Sequence, residues 1–211
     1  MTALRMAAAL TAVLLGTAAC TRRKQPLFFK ILLFGCASYL LGAAFEACWV
    51  LVYQIPPKGF HVGCLGYMGA YFFLLSAYFG AIDRLADGGE PVYRPYRLSS
   101  LLAPLALIFV TGWSVAQYGW AACVPLLLLA IPVGLTLYFA LKHLILPDVE
   151  LGIIRVMRPY NACVILLCLC ETVSRLPQCP PWAKTGAGCA VCLLLVALLP
   201  VAERGVRKWF I

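Results

Sequence analysis

The chain is predicted to be all-α, a polytopic membrane bundle of seven transmembrane helices, or six if the first segment does not span. Two observations carry this. First, seven apolar stretches alternate with polar breaks, most of them near the about 17–25 residues that a spanning helix needs. Second, thirteen of the seventeen Lys and Arg residues fall in every other break. Arg22, Arg23, Lys24 and Lys30 follow the first stretch; Arg84, Arg94 and Arg97 the third; Lys142, Arg155 and Arg158 the fifth; Arg204, Arg207 and Lys208 the seventh. Short loops rich in Lys and Arg stay in the cytoplasm. The expected placement is the cell (inner) membrane, N-terminus outside and C-terminus cytoplasmic. At 64% hydrophobic and 12% charged, the chain is far from the roughly 25% charged residues of a soluble domain. The longest polar run, Asp83 to Ser100, falls short of the ~50 residues of an independent domain. Residues 1–211 therefore read as one integral membrane domain.

The first stretch, Met6 to Cys20, has fifteen residues and is the weakest span. Arg5 before it and Leu-Gly-Thr-Ala-Ala-Cys at its end resemble a signal peptide. Cleavage would leave the later basic loops outside, so an uncleaved short helix is expected. The second stretch, Ile31 to Tyr53, is closed by Pro56 and Pro57, which no helix continues through easily. The third, His61 to Ile82, carries Gly66 and Ala70, then Ala77 and Ala81, at the four-residue spacing that lets helices approach closely in lipid. The fourth, Leu98 to Tyr118, and the fifth, Ala121 to Leu141, are joined by almost no loop and should form an antiparallel hairpin. Pro104, Pro125 and Pro132 are tolerable in membrane helices, with kinks. Lys142 to Arg158 is too apolar for a free loop and too charged to span. It reads as an amphipathic piece on the interface or as a polar-ended extension of the sixth helix. The sixth stretch, Pro159 to Ser174, starts with proline at a favoured first helical position. The seventh is Gly186 to Ala202.

A charged side chain inside a span is costly and marks a functional hypothesis. Glu46 lies about two turns before the outer end of the second stretch, and Glu171 about one turn before that of the sixth, so both should sit at similar depth. Trp49 and Tyr53 share a face with Glu46, Arg175 follows Glu171 at an ion-pair spacing, and His61 opens the third stretch at the same level. Glu46, Trp49, Tyr53, His61, Glu171 and Arg175 are therefore the candidate pocket, and Glu46 and Glu171 the catalytic candidates if the chain is an enzyme. Trp49 and Tyr53 could equally belong to an aromatic belt. On the cytoplasmic side, Asp83, Arg84 and Asp87, together with His143, Asp148 and Asn161, read as ordinary helix-end groups. His61 and His143 are the only histidines and fall on opposite sides, so no metal site and no cofactor is expected. The eleven cysteines lie mostly in apolar stretches and behave as small hydrophobes. Cys64 and Cys179 both fall near the outer surface, where free thiols or a pair are the alternatives. Basic residues spread over several loops exclude nucleic acid; the expected partners are the lipid bilayer, a small or lipidic ligand and a cytoplasmic signalling partner.

Phe45-Glu46-Ala47-Cys48-Trp49, then Pro56-Pro57, then Leu65-Gly66-Tyr67-Met68-Gly69, resemble the polytopic sensory modules that precede diguanylate cyclase domains in bacteria. The resemblance implies an outward-facing ligand pocket whose output passes to a separate partner, since no cyclase domain follows. Phe45-Glu46 and Cys170-Glu171, with Phe60, Gly63 and Tyr67, also resemble the lysoplasmalogenase-like membrane family, which implies lipid hydrolysis. Here Glu replaces Asp twice, Tyr71 stands where a histidine is expected, and the helix count is one short. The expected function is a sensor or accessory module. The alternative is an intramembrane lipid hydrolase with Glu46 and Glu171 as general base and acid on a water. A transporter ranks third, because matched halves with broken helices are missing.

Overall fold

The computed structural model describes residues 1–83, 87, 89–147 and 153–207. Seven of its helices are long and apolar enough to cross a membrane, and no strand occurs among the described residues. The chain is a multi-pass membrane protein. Its elements are α1 (Thr2–Arg22), α2 (Leu27–Tyr53), α3 (Val62–Ala77, continued by a π-helical turn Tyr78–Ile82), the short α4 (Arg94–Ser100), α5 (Leu102–Tyr118), α6 (Trp120–Ile145), α7 (Ile153–Arg175) and α8 (Pro181–Arg207). Six of them close a ring: α1 packs on α2, α2 on α3, α3 on α6, α6 on α7, α7 on α8, and α8 back on α1. The remaining span, α5, lies outside the ring against α6 and buries only Leu107, Thr111 and Ser114. Gly119 alone links α5 to α6, at φ 78°, a conformation that costs glycine nothing.

Each ring helix shows the ring centre one stripe at the 3.6-residue period. On α2 it runs Phe29, Leu32, Cys36, Tyr39, Ala43, Glu46; on α7, Met157, Tyr160, Val164, Leu167, Glu171; on α1, Arg5, Ala8, Ala12 and Gly16. Because lipid is as apolar as leucine, burial of these stripes is favoured by close packing and polar contacts rather than by exclusion of water. The tightest contact is between α2 and α3. A Cβ on Gly66 would stand 2.5 Å from the Gly42 backbone nitrogen and 2.9 Å from the Ser38 carbonyl oxygen. The Ser38 hydroxyl donates to the Gly66 carbonyl at 2.9 Å. Gly66 and Ala70 thus form the small-residue face expected of the third stretch, set against Gly42 and Gly35.

Three sequence expectations need correction. The first helix is not short: α1 has 21 residues, because Arg5 is buried by ionic partners on α7 and so lies within the span rather than before it. Pro159 does not start its helix. α7 begins at Ile153 and carries Pro159 inside, one missing N–H being tolerable near a membrane helix end. The Lys142 to Arg158 segment is not a separate amphipathic piece in its described parts: Lys142 to Ile145 end α6 and Ile153 to Arg158 open α7, the polar-ended extension. Asp148, like Arg84 and Lys208, lies outside the described residues. All eleven cysteines are free, Cys64 and Cys179 included.

Candidate functional site: a buried ion network under a cleft

Antiparallel threading brings the ends of α2 and α7 and the starts of α1, α3 and α8 to one end of the bundle. Glu171, fully buried, accepts a hydrogen bond from Arg175 Nε at 2.8 Å and another from the Tyr39 hydroxyl at 3.0 Å. Arg5 Nη1 lies 3.6 Å from the same carboxylate, and Arg5 Nη2 donates to the Ser174 hydroxyl at 2.8 Å. Arg175 reaches both acids: its Nη1 is 3.6 Å from Glu46 Oε1. His61 Nε2 stands 3.7 Å from that Glu46 oxygen. The Arg175 guanidinium also lies over the Tyr67 ring, 4.3 Å from its centroid, a favourable cation–π geometry. Two acids and two guanidiniums therefore neutralise one another within the span, the arrangement that makes buried charge tolerable.

The i, i+4 relation of Glu171 and Arg175 is local, and α7 supplies it unaided. Everything else in the network is tertiary. Arg5 comes from the first turns of α1, Tyr39 and Glu46 from one face of α2, His61 from the N-cap of α3. The His61 ring stacks on Phe45 at 5.8 Å. Burial holds its imidazole below the ordinary histidine value; Glu46 pulls it up and Arg175 pushes it down. Arg175, whose Nη1 lies 3.6 Å from Glu46, is the permanent cation beside that carboxylate.

A cleft of ≈ 260 Å³ opens over this network, walled by Arg5 and Thr2 of α1, Glu46 of α2, Ser174 and Arg175 of α7, and Lys184 and Thr185 of α8. Arg5 Nε and Arg175 Nη2 are buried and have no hydrogen-bond partner among the described residues. Of the sequence-derived candidates, Glu46, Glu171, Arg175 and His61 come together. Trp49 and Tyr53 do not join them. Tyr53 is 58% exposed and packs on Trp49 with ring centroids 4.4 Å apart, while the half-buried Trp49 reaches the network only through Phe45, 6.0 Å from it and stacked on His61. Arg5, Tyr39, Tyr67, Ser174 and Lys184 were missed. The signal for Arg5 was its helical register with Ala8, Ala12 and Gly16, and for Tyr39 its seven-residue spacing from Glu46.

The opposite end holds a second network. Lys142 Nζ at the end of α6 pairs with Asp83 and, at 3.2 Å, with Asp87. His143 Nε2 is 3.2 Å from Asp83 Oδ1, and Arg97 Nε donates to Asp87 Oδ2 at 2.7 Å. Tyr78, in the π turn, stacks on His143 at 5.7 Å and donates to Asn161 Oδ1 at 2.8 Å. The Arg97 guanidinium, which outweighs burial, holds the Asp87 carboxyl well below the usual range. At Asp83 burial pushes up, but the nearby His143 imidazole and the Lys142 ammonium prevail and the carboxyl is lowered. These groups are interlocked and mostly buried, not the solvated helix-end charges expected. Lys142 thus lies between two acids at one end as Arg175 does at the other.

Comparison with protein-family models, with curated proteins and with solved structures finds no match to this chain. Its function has to be argued from these two networks and the cleft.

Proposed function

We propose that the protein is a ligand-responsive membrane module of the sensor or accessory class, with its cleft facing outward. Most of its cationic residues gather at the Asp83 end, at helix ends such as Arg22, Arg94, Lys142 and Arg204. The positive-inside rule then assigns that end, with the C-terminus, to the cytoplasm and the cleft and N-terminus to the outside of the cell membrane. Reporter fusions at Gln54 and at Arg94 should read opposite sides; the same side for both would refute the orientation.

The observation that supports ligand binding is the cleft itself, floored by two buried arginines whose spare N–H groups find no partner among the described residues. Polar groups converging at the bottom of a concavity are the usual make-up of a small-molecule site. The module would report occupancy through the Asp83-end network, because α3 and α7 each contribute to both ends. A cytoplasmic partner would read that change, as the resemblance to sensory modules implies.

Lipid hydrolysis is the second reading, favoured by one feature. Glu46 borders the cleft and is held only at 3.6 and 3.7 Å, beside the His61 imidazole, a fair position for a general base. Its weakness is Glu171. Both oxygens of that carboxylate already accept hydrogen bonds, which leaves no proton to donate. Purified protein should therefore leave a panel of lysophospholipids and lysoplasmalogens intact. Turnover that disappears in Glu46→Gln, with the fold retained, would replace the sensor reading by the hydrolase one.

A further inference from the structure

We infer that the cleft at the Glu171 end binds an oxyanion, a carboxylate or a phosphate; the inference rests on the reading of this cleft as a ligand site. Three cationic side chains wall the cleft, Arg5, Arg175 and Lys184, beside one acid, Glu46; a second acid, Glu171, lies buried beneath them against the two arginines. The two acids are matched by the two arginines, which leaves one positive charge over. That charge is Lys184, half-buried, whose Nζ donates to the Pro177 carbonyl at 3.1 Å and meets no carboxylate among the described residues. The donors are also in excess. Arg5 Nε and Arg175 Nη2 point no N–H at any acceptor among the described residues, and the Thr185 hydroxyl stands at the rim. A buried guanidinium N–H left without an acceptor is costly. The ligand that satisfies several such donors at once while balancing a charge is a multi-oxygen anion, for which guanidinium forks are well matched. A cationic ligand would meet the Lys184 charge, and an uncharged one would leave it unbalanced.

The test uses the full chain in phosphatidylcholine nanodiscs, with binding of five probes read by calorimetry and by the thermal midpoint: hexyl phosphate, hexanoate, inorganic phosphate, hexanol and hexyltrimethylammonium. Hexyl phosphate or hexanoate should bind and raise the midpoint. Lys184→Gln should weaken that binding about tenfold, the loss of one charge-assisted hydrogen bond, and Thr185→Trp, at an exposed rim position, should block it. Both variants leave the packed core untouched, so their own midpoints without probe report intact folding. Binding by inorganic phosphate alone identifies a free oxyanion, and binding that needs the hexyl chain identifies an anionic amphiphile such as a lipid; either supports the inference. Hexanol or hexyltrimethylammonium binding in place of the anions, and blocked by Thr185→Trp, overturns the oxyanion and leaves the ligand cleft standing. Binding by none of the five overturns both. Anion binding that neither variant weakens also overturns the inference, because the anion then sits elsewhere.

Discussion

Arg175→Leu should cost about 3–5 kcal/mol of stability, the largest loss from any single side chain in the bundle, because it strands buried acids without their cation. Three separate contacts go at once: the 2.8 Å hydrogen bond to Glu171, the 3.6 Å approach to Glu46 and the stack on Tyr67. Arg5 stays near Glu171 at 3.6 Å, but beside Glu46 only His61 is left among the described residues, at 3.7 Å and with burial working against its charged form. Arg175→Lys should recover only part of the loss. An ammonium is a point charge and lacks the planar fork whose Nε and Nη1 reach Glu171 and Glu46 from the face of the Tyr67 ring. Denaturant unfolding in a mild detergent measures both variants. A loss below about 1 kcal/mol for Arg175→Leu would mean that the network is a solvated surface pair and would remove the floor from the proposed site. Arg175→Leu combined with Glu171→Gln should be less damaging than the sum of its parts, since partners in one network are not additive.

Gly66→Val should separate α2 from α3 and prevent the protein from accumulating in the membrane. The added Cβ meets backbone on every side, the Gly42 nitrogen at 2.5 Å, the Gly42 Cα at 2.6 Å and the Ser38 oxygen at 2.9 Å. Backbone cannot rotate aside as a side chain can, so the helices must part. Overpacking of this kind costs about 1–3 kcal/mol where neighbours can shift, and more is expected here. The loss should also reach function, since α2 carries Tyr39 and Glu46 while α3 is capped by His61 and carries Tyr67. Gly112→Ala is the matched control. Nothing stands within 4 Å of its new Cβ, and the substitution removes a glycine from a helix interior, a gain of about 0.5–1 kcal/mol. Equal membrane yields for the two variants would show that the α2–α3 approach is not needed for folding.

Glu46 and Glu171 were legible from sequence because an acid inside a twenty-residue apolar stretch has no local excuse. Their shared depth was legible too: alternate threading sets the direction of every helix, and counting residues from the nearest loop then sets the level. Arg5 was not legible as a partner. It stood before an apolar stretch of fifteen residues and looked like a flanking charge, when in fact it extends the helix because Glu171 neutralises it 166 residues away in the chain. Trp49 and Tyr53 failed for a different reason. Their spacing from Glu46 placed them roughly on its face, but a face of more than a hundred degrees still has edges, and these rings lie at one. The Asp83-end network was read as solvated helix ends because its members pair across 55 and 59 residues, beyond the reach of any spacing rule.

Hydrophobicity and the spacing of the polar breaks set the class of this protein and the number of its spans to within one, since those depend only on the cost of moving a residue between water and lipid. Which helices touch is a different matter. In lipid all apolar faces are nearly equivalent, so neighbours are chosen by where small residues let backbones meet and where buried charges find opposite charges. Those choices need the whole bundle at once. They made the six-helix ring, left α5 outside it, and turned a lone arginine near one terminus into a wall of the cleft.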